Sequence, residues 1–531
     1  MSFPSILLNL FQRSPDIWIC INIQKRSTIY ALSSPAVVVV RVSGSKASEV
    51  LLKLAKLKNC RGARKAVLCK LRDPETDELL DKALALWFPS PNSYTGEDLC
   101  ELHLHGSKPV IKGVLNSLQK LPHFRSAEPG EFTKRAFMAD KFDLTEVEGL
   151  ADLLNAETEA QRRQALRQMD GILHKLYTDW TNRVKRCSAR LEAYIDFGED
   201  QHLDESILTS VQKEIEVLRC EISTHLQDQR KGERVRNGVF TVITGRPNVG
   251  KSTLMNYLCQ KDVAIVSPTA GTTRDTLEFS MNLGGYMVNI CDTAGIRQSH
   301  DAIEQEGMKR AKEKSSNADM LIFILEASRA LALFQSSNVT GKDFISHLLN
   351  KELGEDYLKT VTNNSNEENI FANTLILLNK LDLLSEEDLL KVNKIQETHP
   401  SICAVSCLDG TGMSDFLNVL SEKIKDMCCG HVDLPTITQE RHRMYVRNCL
   451  QDLIEYDDCI ELDIAIAADK LRHSMNELGK IQGIKLFCAF IGSGEEIDQT
   501  IANWFWGLLF GFRSGMIVFF NLVSTGRNYT I

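Results

Sequence analysis

The stretch Gly245-Arg-Pro-Asn-Val-Gly-Lys-Ser-Thr253 restricts what this chain can fold into more than any other. It fits G-x-x-x-x-G-K-[ST], in which glycines let the backbone wrap an anion with its N–H donors turned inward. Residues 239–243 form an apolar run and predict a buried strand, and residues 254–258 predict the start of a helix. Strand, loop and helix N-terminus in that order make a phosphate cradle, to which the helix dipole adds partial positive charge. Asn248, Val249, Gly250, Lys251, Ser252 and Thr253 are the expected contacts. Lys251 would reach the outer phosphates and serve catalysis, and Ser252 would hold Mg²⁺.

Three later boxes narrow the nucleotide to GTP. Asp292 and Gly295 follow an apolar run at 287–290, the first suited to Mg²⁺ through water and the second to sensing the γ-phosphate. Asn379, Lys380 and Asp382 follow residues 375–378, and a carboxylate at Asp382 can accept both donors on the Watson–Crick edge of guanine. Adenine presents an acceptor there and would leave the acid unpaired, a mismatch that discriminates strongly. Ser406 and Cys407 follow residues 402–405, where a backbone N–H can meet the guanine oxygen. Each box is short, but the four occur in order, each at the end of a predicted strand.

At 531 residues the chain predicts several domains, and its 43% apolar and 25% charged content suits a soluble protein. A formal net charge of −8 argues against nucleic-acid binding over the whole surface, so an RNA contact needs a local basic face. The 15 cysteines include no C-x-x-C pair, and most, such as Cys220, Cys259 and Cys291, sit singly in apolar runs, which predicts reduced, mostly buried thiols. The first 30 residues hold one acid, Asp16, beside Arg13, Lys25 and Arg26, a composition compatible with an organelle import segment over residues 1–27 or with a cytosolic N-terminus.

Residues 36–42, 83–88 and 101–105 predict strands, and residues 91–98 between the last two form a turn-rich loop suited to a small molecule or to plain hydration. His103 and His105 share a strand face but lack a third metal ligand nearby. Leu166, Met169, Leu173, Leu176, Trp180, Val184, Cys187 and Leu191 step by three or four, which predicts one long helix. Arg162, Arg163, Arg167, Lys175, Arg183, Lys185, Arg186 and Arg190 lie off that stripe, as a solvated face or one turned to tRNA. Helical periodicity covers 207–226 and resumes from 439 to 478, so a nucleotide-binding domain at 236–426 interrupts a helical one. Inside it, residues 276–281 and 286–290 flank Gly284-Gly285 as a hairpin. Residues 336–371 are long and polar and predict a flexible insertion.

Many GTPases orient the attacking water with a glutamine directly after Asp-x-x-Gly. Here that position is Ile296. Glu304, nine residues past Gly295, is the candidate to orient water in its place. Arg274 and Arg297 are the candidates for an arginine finger but read rather as structural, and a monovalent cation can offset charge instead. Asn248 with oxygens from Ser267, Thr269 and Thr272 would cage K⁺, and Thr273 would join Ser252 and Asp292 on Mg²⁺.

The sequence resembles the MnmE/TrmE family of tRNA-modification GTPases, as a mitochondrial eukaryotic member. The resemblance rests on residues 91–98, 128–137 and 143–153, on Gly245–Thr253, on residues 271–275 and on 292–297, and it covers about residues 28–480. It implies a multidomain α/β + α chain with a P-loop GTPase domain inserted in a helical domain, preceded by an α+β folate-binding-like N-terminal domain. The boundaries would be an import segment at 1–27, the N-terminal dimerisation domain at 28–145, helical parts at 146–235 and 427–480 around the GTPase domain, and an atypical tail at 481–531. It implies a homodimer that uses GTP, Mg²⁺, K⁺ and a tetrahydrofolate one-carbon donor. With an MnmG-like FAD-dependent partner it would build a taurino- or carboxymethyl-aminomethyl group on carbon 5 of the wobble uridine of tRNA. Location would be the mitochondrial matrix, or the cytoplasm if residues 1–27 are no import segment. Tyr94, Thr95, Gly96 and Arg135 would contact folate.

Two departures bear on this. Residues 36–40 follow Pro35 without the family's Gly/Arg-rich turn, which helps to shape the folate pocket. The Phe-Cys-(Ile/Leu)-Gly-Lys ending of the family is absent from residues 481–531, where residues 487–492 around Cys488 are a displaced echo. The apolar run 501–522 is interrupted by Arg513 and reads as a poorly packed end rather than a membrane anchor. A ribosome-assembly GTPase of the Era/EngA type, or a GTPase that does not support modification, are the alternatives.

Overall fold

Alternation of buried and exposed side chains builds the first sheet. The computed structural model describes residues 28–32, 37–57, 63–201, 206–260, 264–265, 278–292, 318–336, 351–352, 373–429 and 435–483. The described residues up to Val147 belong to one compact unit, and those from Glu148 to a second.

In the first unit β1 (Thr28–Leu32), β2 (Val37–Ser43), β3 (Val67–Arg72), β4 (Leu79–Phe88), β5 (Leu99–His105) and β6 (Phe124–Ser126) form one sheet in the order β3-β4-β5-β2-β1-β6. All neighbours are antiparallel except β1 and β6. Val38, Val40 and Val42 turn inward with Cys100, Leu102 and Leu104 of β5, as the period of two requires. Helices α1 (Ser48–Lys53) and α2 (Lys108–Gln119) cover that face through Val50, Leu51, Val114 and Leu118. The predicted strands lie where expected, with ends displaced by one to four residues. His105 Nδ1 lies 2.7 Å from Asp81 Oδ1, and the described residues contain no cluster of three metal-binding side chains. Two short helices, α3 (Glu131–Met138) and α4 (Leu144–Leu154), follow β6.

The predicted long helix through residues 166–191 is two helices, α5 (Glu159–Met169) and α6 (Ile172–Gln201). The break comes at Gly171, whose φ of 78° leaves the helical region and ends α5 by a bond from its N–H to Gln168 O. The apolar stripe continues beyond it. Leu173, Tyr177, Trp180, Val184, Cys187 and Leu191 are buried against α7 (Ser206–Leu226), and the same core takes side chains from α13 (Glu440–Ile460) and α14 (Ile464–Gln482). Helices before and after the nucleotide-binding residues therefore share one apolar interior.

Arg183 departs from the expectation for the basic residues. Its side chain is 12% exposed and bridges α6 to α7 through Glu214 at 2.6 Å and Glu221 at 2.7 Å. Arg162 and Arg163 both bind Glu159. Among the cysteines, Cys291 is buried, but Cys220 and Cys259 are exposed, because one polar side of their helices carries them. No described helix is long and apolar enough to cross a membrane, and residues 501–522 lie outside the described ones.

The second sheet begins after α8 (Lys231–Asn237). It comprises β7 (Val239–Gly245), β8 (Ala264–Ile265), β9 (Glu278–Leu283), β10 (Tyr286–Asp292), β11 (Met320–Glu326), β12 (Thr374–Asn379) and β13 (Ile402–Ala404), in the order β13-β12-β11-β7-β10-β9-β8. From β13 to β10 the strands are parallel, and β9 and β8 are antiparallel. The hairpin between β9 and β10 turns through Gly284 and Gly285 at φ 60° and 90°, with Asn282 Oδ1 accepting from Gly285 N–H. Helices α9 (Lys251–Cys259), α10 (Ala327–Ser336), α11 (Glu386–Thr398) and α12 (Met413–Cys428) pack on its faces, which are near-continuous Val, Ile and Leu as buried parallel strands demand. Of the polar stretch 336–371, predicted as a flexible insertion, Ser336, Lys351 and Glu352 are described and helical, and Glu352 is buried.

The chain leaves and rejoins the helical part at adjoining points. Arg443 at the start of α13 bonds Glu233 of α8 at 2.6 Å and Asp228 at 2.7 Å. A Cβ on Gly232 would lie 2.4 Å from Ile437 O, so the two crossing segments meet at a distance that only glycine permits.

Candidate nucleotide site

Parallel register brings the sequence boxes to one edge. Ile324 of β11 pairs with Gly245, Asp292 with Ile243, and Glu326 with Asn379. Successive strands after β7 fall on opposite sides of it, to β10 and then to β11. That makes the C-terminal end of β7 a topological switch point, where a crevice opens for ligand.

The phosphate loop is held from within. Lys251 is 7% exposed, and its Nζ donates to Gly245 O at 2.9 Å and to Arg246 O at 2.6 Å. Asn248 (φ 63°) and Gly250 (φ 104°) occupy the left-handed region that curls the N–H groups toward the cradle. Val249 is buried, whereas Asn248, Ser252 and Thr253 are exposed at the start of α9. A hydroxyl at a helix N-terminus and a carboxylate residue ending a strand at the same sheet edge are hard oxygen donors of the kind that suits Mg²⁺. Ser252 would supply that hydroxyl, and Asp292 ends β10.

Asn379 is more deeply built in than its box suggests. It is 3% exposed, donates from Nδ2 to Val249 O at 2.7 Å, and accepts at Oδ1 from Cys407 N–H at 3.0 Å. One side chain thus bolts the phosphate loop to the Ser406–Cys407 turn. A Cβ on Gly250 would stand 2.1 Å from Asn379 Nδ2, so glycine is required there by packing as well as by φ. Lys380 (φ 68°) reaches Glu326 Oε1 at 3.1 Å, a partner the sequence boxes did not single out.

Asp382 is exposed, and its Oδ1 accepts from Ser406 Oγ at 2.7 Å. That bond aims the carboxylate and leaves its second oxygen for a ligand. Ser406 N–H donates to Thr411 O and Cys407 N–H to Asn379 Oδ1, so a guanine oxygen would have to share the Cys407 donor. Burial, with Asp382 adding repulsion, pushes the Cys407 thiol up to about 11, which keeps it neutral. Gly295, Ile296, Arg297, Glu304, Ser267, Thr269, Thr272, Thr273 and Arg274 lie outside the described residues.

In the first unit, the residues expected at a folate face line a polar network. Tyr94 OH lies 3.1 Å from Thr133 Oγ1, and the Arg41 guanidinium sits 5.7 Å from the Tyr94 ring centre. Thr95 is fully buried, with its Oγ1 2.6 Å from Ser43 Oγ. Arg135 donates to Glu97 at 2.8 Å and to Glu131 at 2.9 Å, leaving 12% of its side chain exposed. Gly96 (φ 73°) leaves no room for a Cβ, which would meet Ala139 Cβ at 2.7 Å. Tyr94 is half-buried, with Arg41 over its ring and the Phe142 ring centre 5.8 Å away, and Ser43, Glu97 and Glu131 are the supports that sequence reasoning missed. No periodicity marks them, because each is recruited from a different element.

Two family models match the chain: MnmE helical domain over residues 144–486, and GTP-binding protein TrmE N-terminus over residues 28–141. The chain is 42% identical over 464 residues to the mitochondrial 5-taurinomethyluridine-[tRNA] synthase subunit GTPB3 of Danio rerio, which covers 86% of this chain and 89% of that one. Its identity to the Homo sapiens protein of the same name is 42% over 471 residues, with 86% and 89% covered. To the tRNA modification GTPase MnmE of Wolbachia sp. subsp. Brugia malayi (strain TRS) it is 39% over 482 residues, with 90% and 98% covered.

Proposed function

We propose, from the premise that this chain belongs to the MnmE/TrmE family of tRNA-modification GTPases, that its GTP hydrolysis drives the building of a substituted methyl group on carbon 5 of the wobble uridine in mitochondrial tRNA. The observation that carries the reading is Asn379, which joins Val249 O to Cys407 N–H and so couples the phosphate and base ends of one crevice.

The chemistry asked of this chain is positioning and charge stabilisation. Backbone N–H groups from Asn248 to Thr253 wrap the phosphates, and Lys251 turns its ammonium from the Gly245 and Arg246 carbonyls toward them. Asp382, aimed by Ser406, pairs with the guanine edge. Glu304 orients the attacking water in place of the glutamine that Ile296 lacks. Bound Mg²⁺, on Ser252, Asp292 and Thr273, would neutralise charge on the outer phosphates. Potassium, on Asn248, Ser267, Thr269 and Thr272, would supply the charge that an arginine finger gives elsewhere. A tetrahydrofolate carbon donor would meet the half-buried Tyr94 and Gly96 of this loop, while Thr95 and Arg135 act through the network that shapes it.

A homodimer working in the mitochondrial matrix with an FAD-dependent MnmG-like partner completes the reading. The domains are residues 28–145, 146–235 with 427–480, and 236–426. An Era/EngA-type switch leaves unexplained the matches over residues 28–141 and 144–486. The test is wobble-uridine profiling of mitochondrial tRNA after deletion and re-expression of this chain. Restored modification is the expected result. Normal modification with defective ribosomal subunits points to the assembly switch, and no rescue despite normal GTP turnover points to a GTPase without modification.

A further inference from the structure

A buried carboxylate stands behind the phosphate loop, from a segment whose composition predicted a flexible insertion. Glu352 has no exposed side-chain surface. Its Oε1 accepts from Arg329 Nε at 2.8 Å, and its Oε2 lies 2.7 Å from Arg246 Nε. The second contact is an ion pair whose N–H is not aimed along the bond, so Oε2 has no aligned donor. Arg246 directly follows Gly245 in the phosphate loop, and Arg329 lies in the first turn of α10. The segments carrying the two arginines leave adjacent parallel strands, β7 and β11, at the same edge. A carboxylate cannot be withdrawn from water without cations beside it, so Glu352 holds both guanidiniums in place as firmly as they hold it.

Arg246 also carries the carbonyl that takes Lys251 Nζ at 2.6 Å. Its side chain is held by Glu352 and its main chain by Lys251. A loop fixed at that residue loses less freedom when phosphate arrives, and the affinity gained is that of preorganisation. We propose that Glu352 is a positioning residue for the nucleotide site: by pinning Arg246 and bracing it to Arg329, it holds the phosphate loop in the form that receives the nucleotide. The inference rests on Gly245–Thr253 being the phosphate loop and adds the brace behind it.

The experiment measures GDP and GTP affinity of the full chain by fluorescent-nucleotide binding, and steady-state GTP turnover. Glu352→Gln, which keeps the shape and removes the charge, is expected to weaken GDP about tenfold, as loss of one charge-assisted contact entails. KM rises more than kcat falls. Arg246→Ala, which leaves Glu352 with Arg329 and whose folding is checked by denaturant unfolding, gives a similar loss, Arg246→Lys a smaller one, and the double variant, in which no unpaired buried charge remains, is no weaker than either single. GDP affinity of Arg246→Ala within about twofold of the parent overturns the proposal, whatever becomes of Glu352→Gln. So does tighter binding by Glu352→Gln, since Glu352 would then be withholding Arg246 from phosphate. Lys251→Ala separates the two levels. If it leaves GDP affinity intact, the phosphate-loop reading fails. If it abolishes binding while Arg246→Ala and Glu352→Gln bind normally, only the brace fails.

Discussion

The strand-end crevice and the helical seam both gather polar side chains from distant parts of the chain, but they dispose of them differently. At the seam, charges are matched to one another in the interior. Glu148 and His442 are fully buried 2.7 Å apart, with Arg441 on the other carboxylate oxygen at 2.7 Å. Burial pushes the Glu148 carboxyl up, yet His442 and Arg441 outweigh it and hold it below the ordinary carboxylate value. Arg443, 5% exposed, is held between Asp228 and Glu233. At the crevice, by contrast, several polar side chains stay in reach of solvent. Lys251 is tied by its own loop's carbonyls and Asp382 by one hydroxyl, while Asn248, Ser252 and Asp382 stay exposed. The paired charges of the seam, where His442 Nδ1 is nevertheless buried without a hydrogen-bond partner, serve the fold, whereas polar groups kept exposed at a strand edge are placed to serve a ligand.

The sharpest way to break this comparison is Arg443→Ala. Asp228 would lose its cation in a dry place and Glu233 would be left with Arg230, and stability should fall by about 3–5 kcal/mol in denaturant unfolding. A loss below about 1 kcal/mol would mean that the seam is solvated and the contrast is wrong. Glu304→Ala should do the reverse, slowing hydrolysis by roughly 10²–10³ at unchanged stability and GTP affinity. A parallel fall in affinity would mark Glu304 as structural.

Gly250→Ala joins the two kinds of effect at one residue. The new Cβ has both an unfavourable φ and Asn379 in its way, which costs about 1–3 kcal/mol. GDP binding should weaken by a comparable factor in titration calorimetry, and full retention would show that the Asn379 bolt is dispensable. Asp382→Asn has the smallest energetic and the most specific effect. GTP should weaken about tenfold or more, with xanthosine triphosphate preferred. An unchanged preference for guanine refutes the assignment. Replacing K⁺ by Na⁺ should depress turnover, and equal rates in both salts would remove the alkali-metal ligands from the account.

Much of the architecture was legible because it is written locally. A strand followed by a glycine-rich loop and a helix announces itself over fifteen or so residues, as does Gly284-Gly285 between two alternating runs. The stripe from Leu166 to Leu191 marked the core face of α6 correctly, yet it ran through Gly171, where the helix breaks, because side-chain periodicity does not register one backbone torsion. The exposure of Cys220 and Cys259 was missed for a related reason: an apolar neighbourhood in sequence is not an apolar side of a helix.

The sequence by itself determined which segments bury a face, where turns occur, and that a strand, a glycine-rich loop and a helix stand in the order of a phosphate cradle. Tertiary structure decided who partners whom. Arg183 looked like part of a solvated basic face and is spent on Glu214 and Glu221. Asn379 looked like a base contact and also locks the phosphate loop. Glu352 looked like part of a polar insertion and lies buried between two arginines. Burial follows from hydrophobic period, which one stretch of chain carries alone. The partner of a polar group is set by whatever the fold brings within 3 Å, and no single stretch carries that.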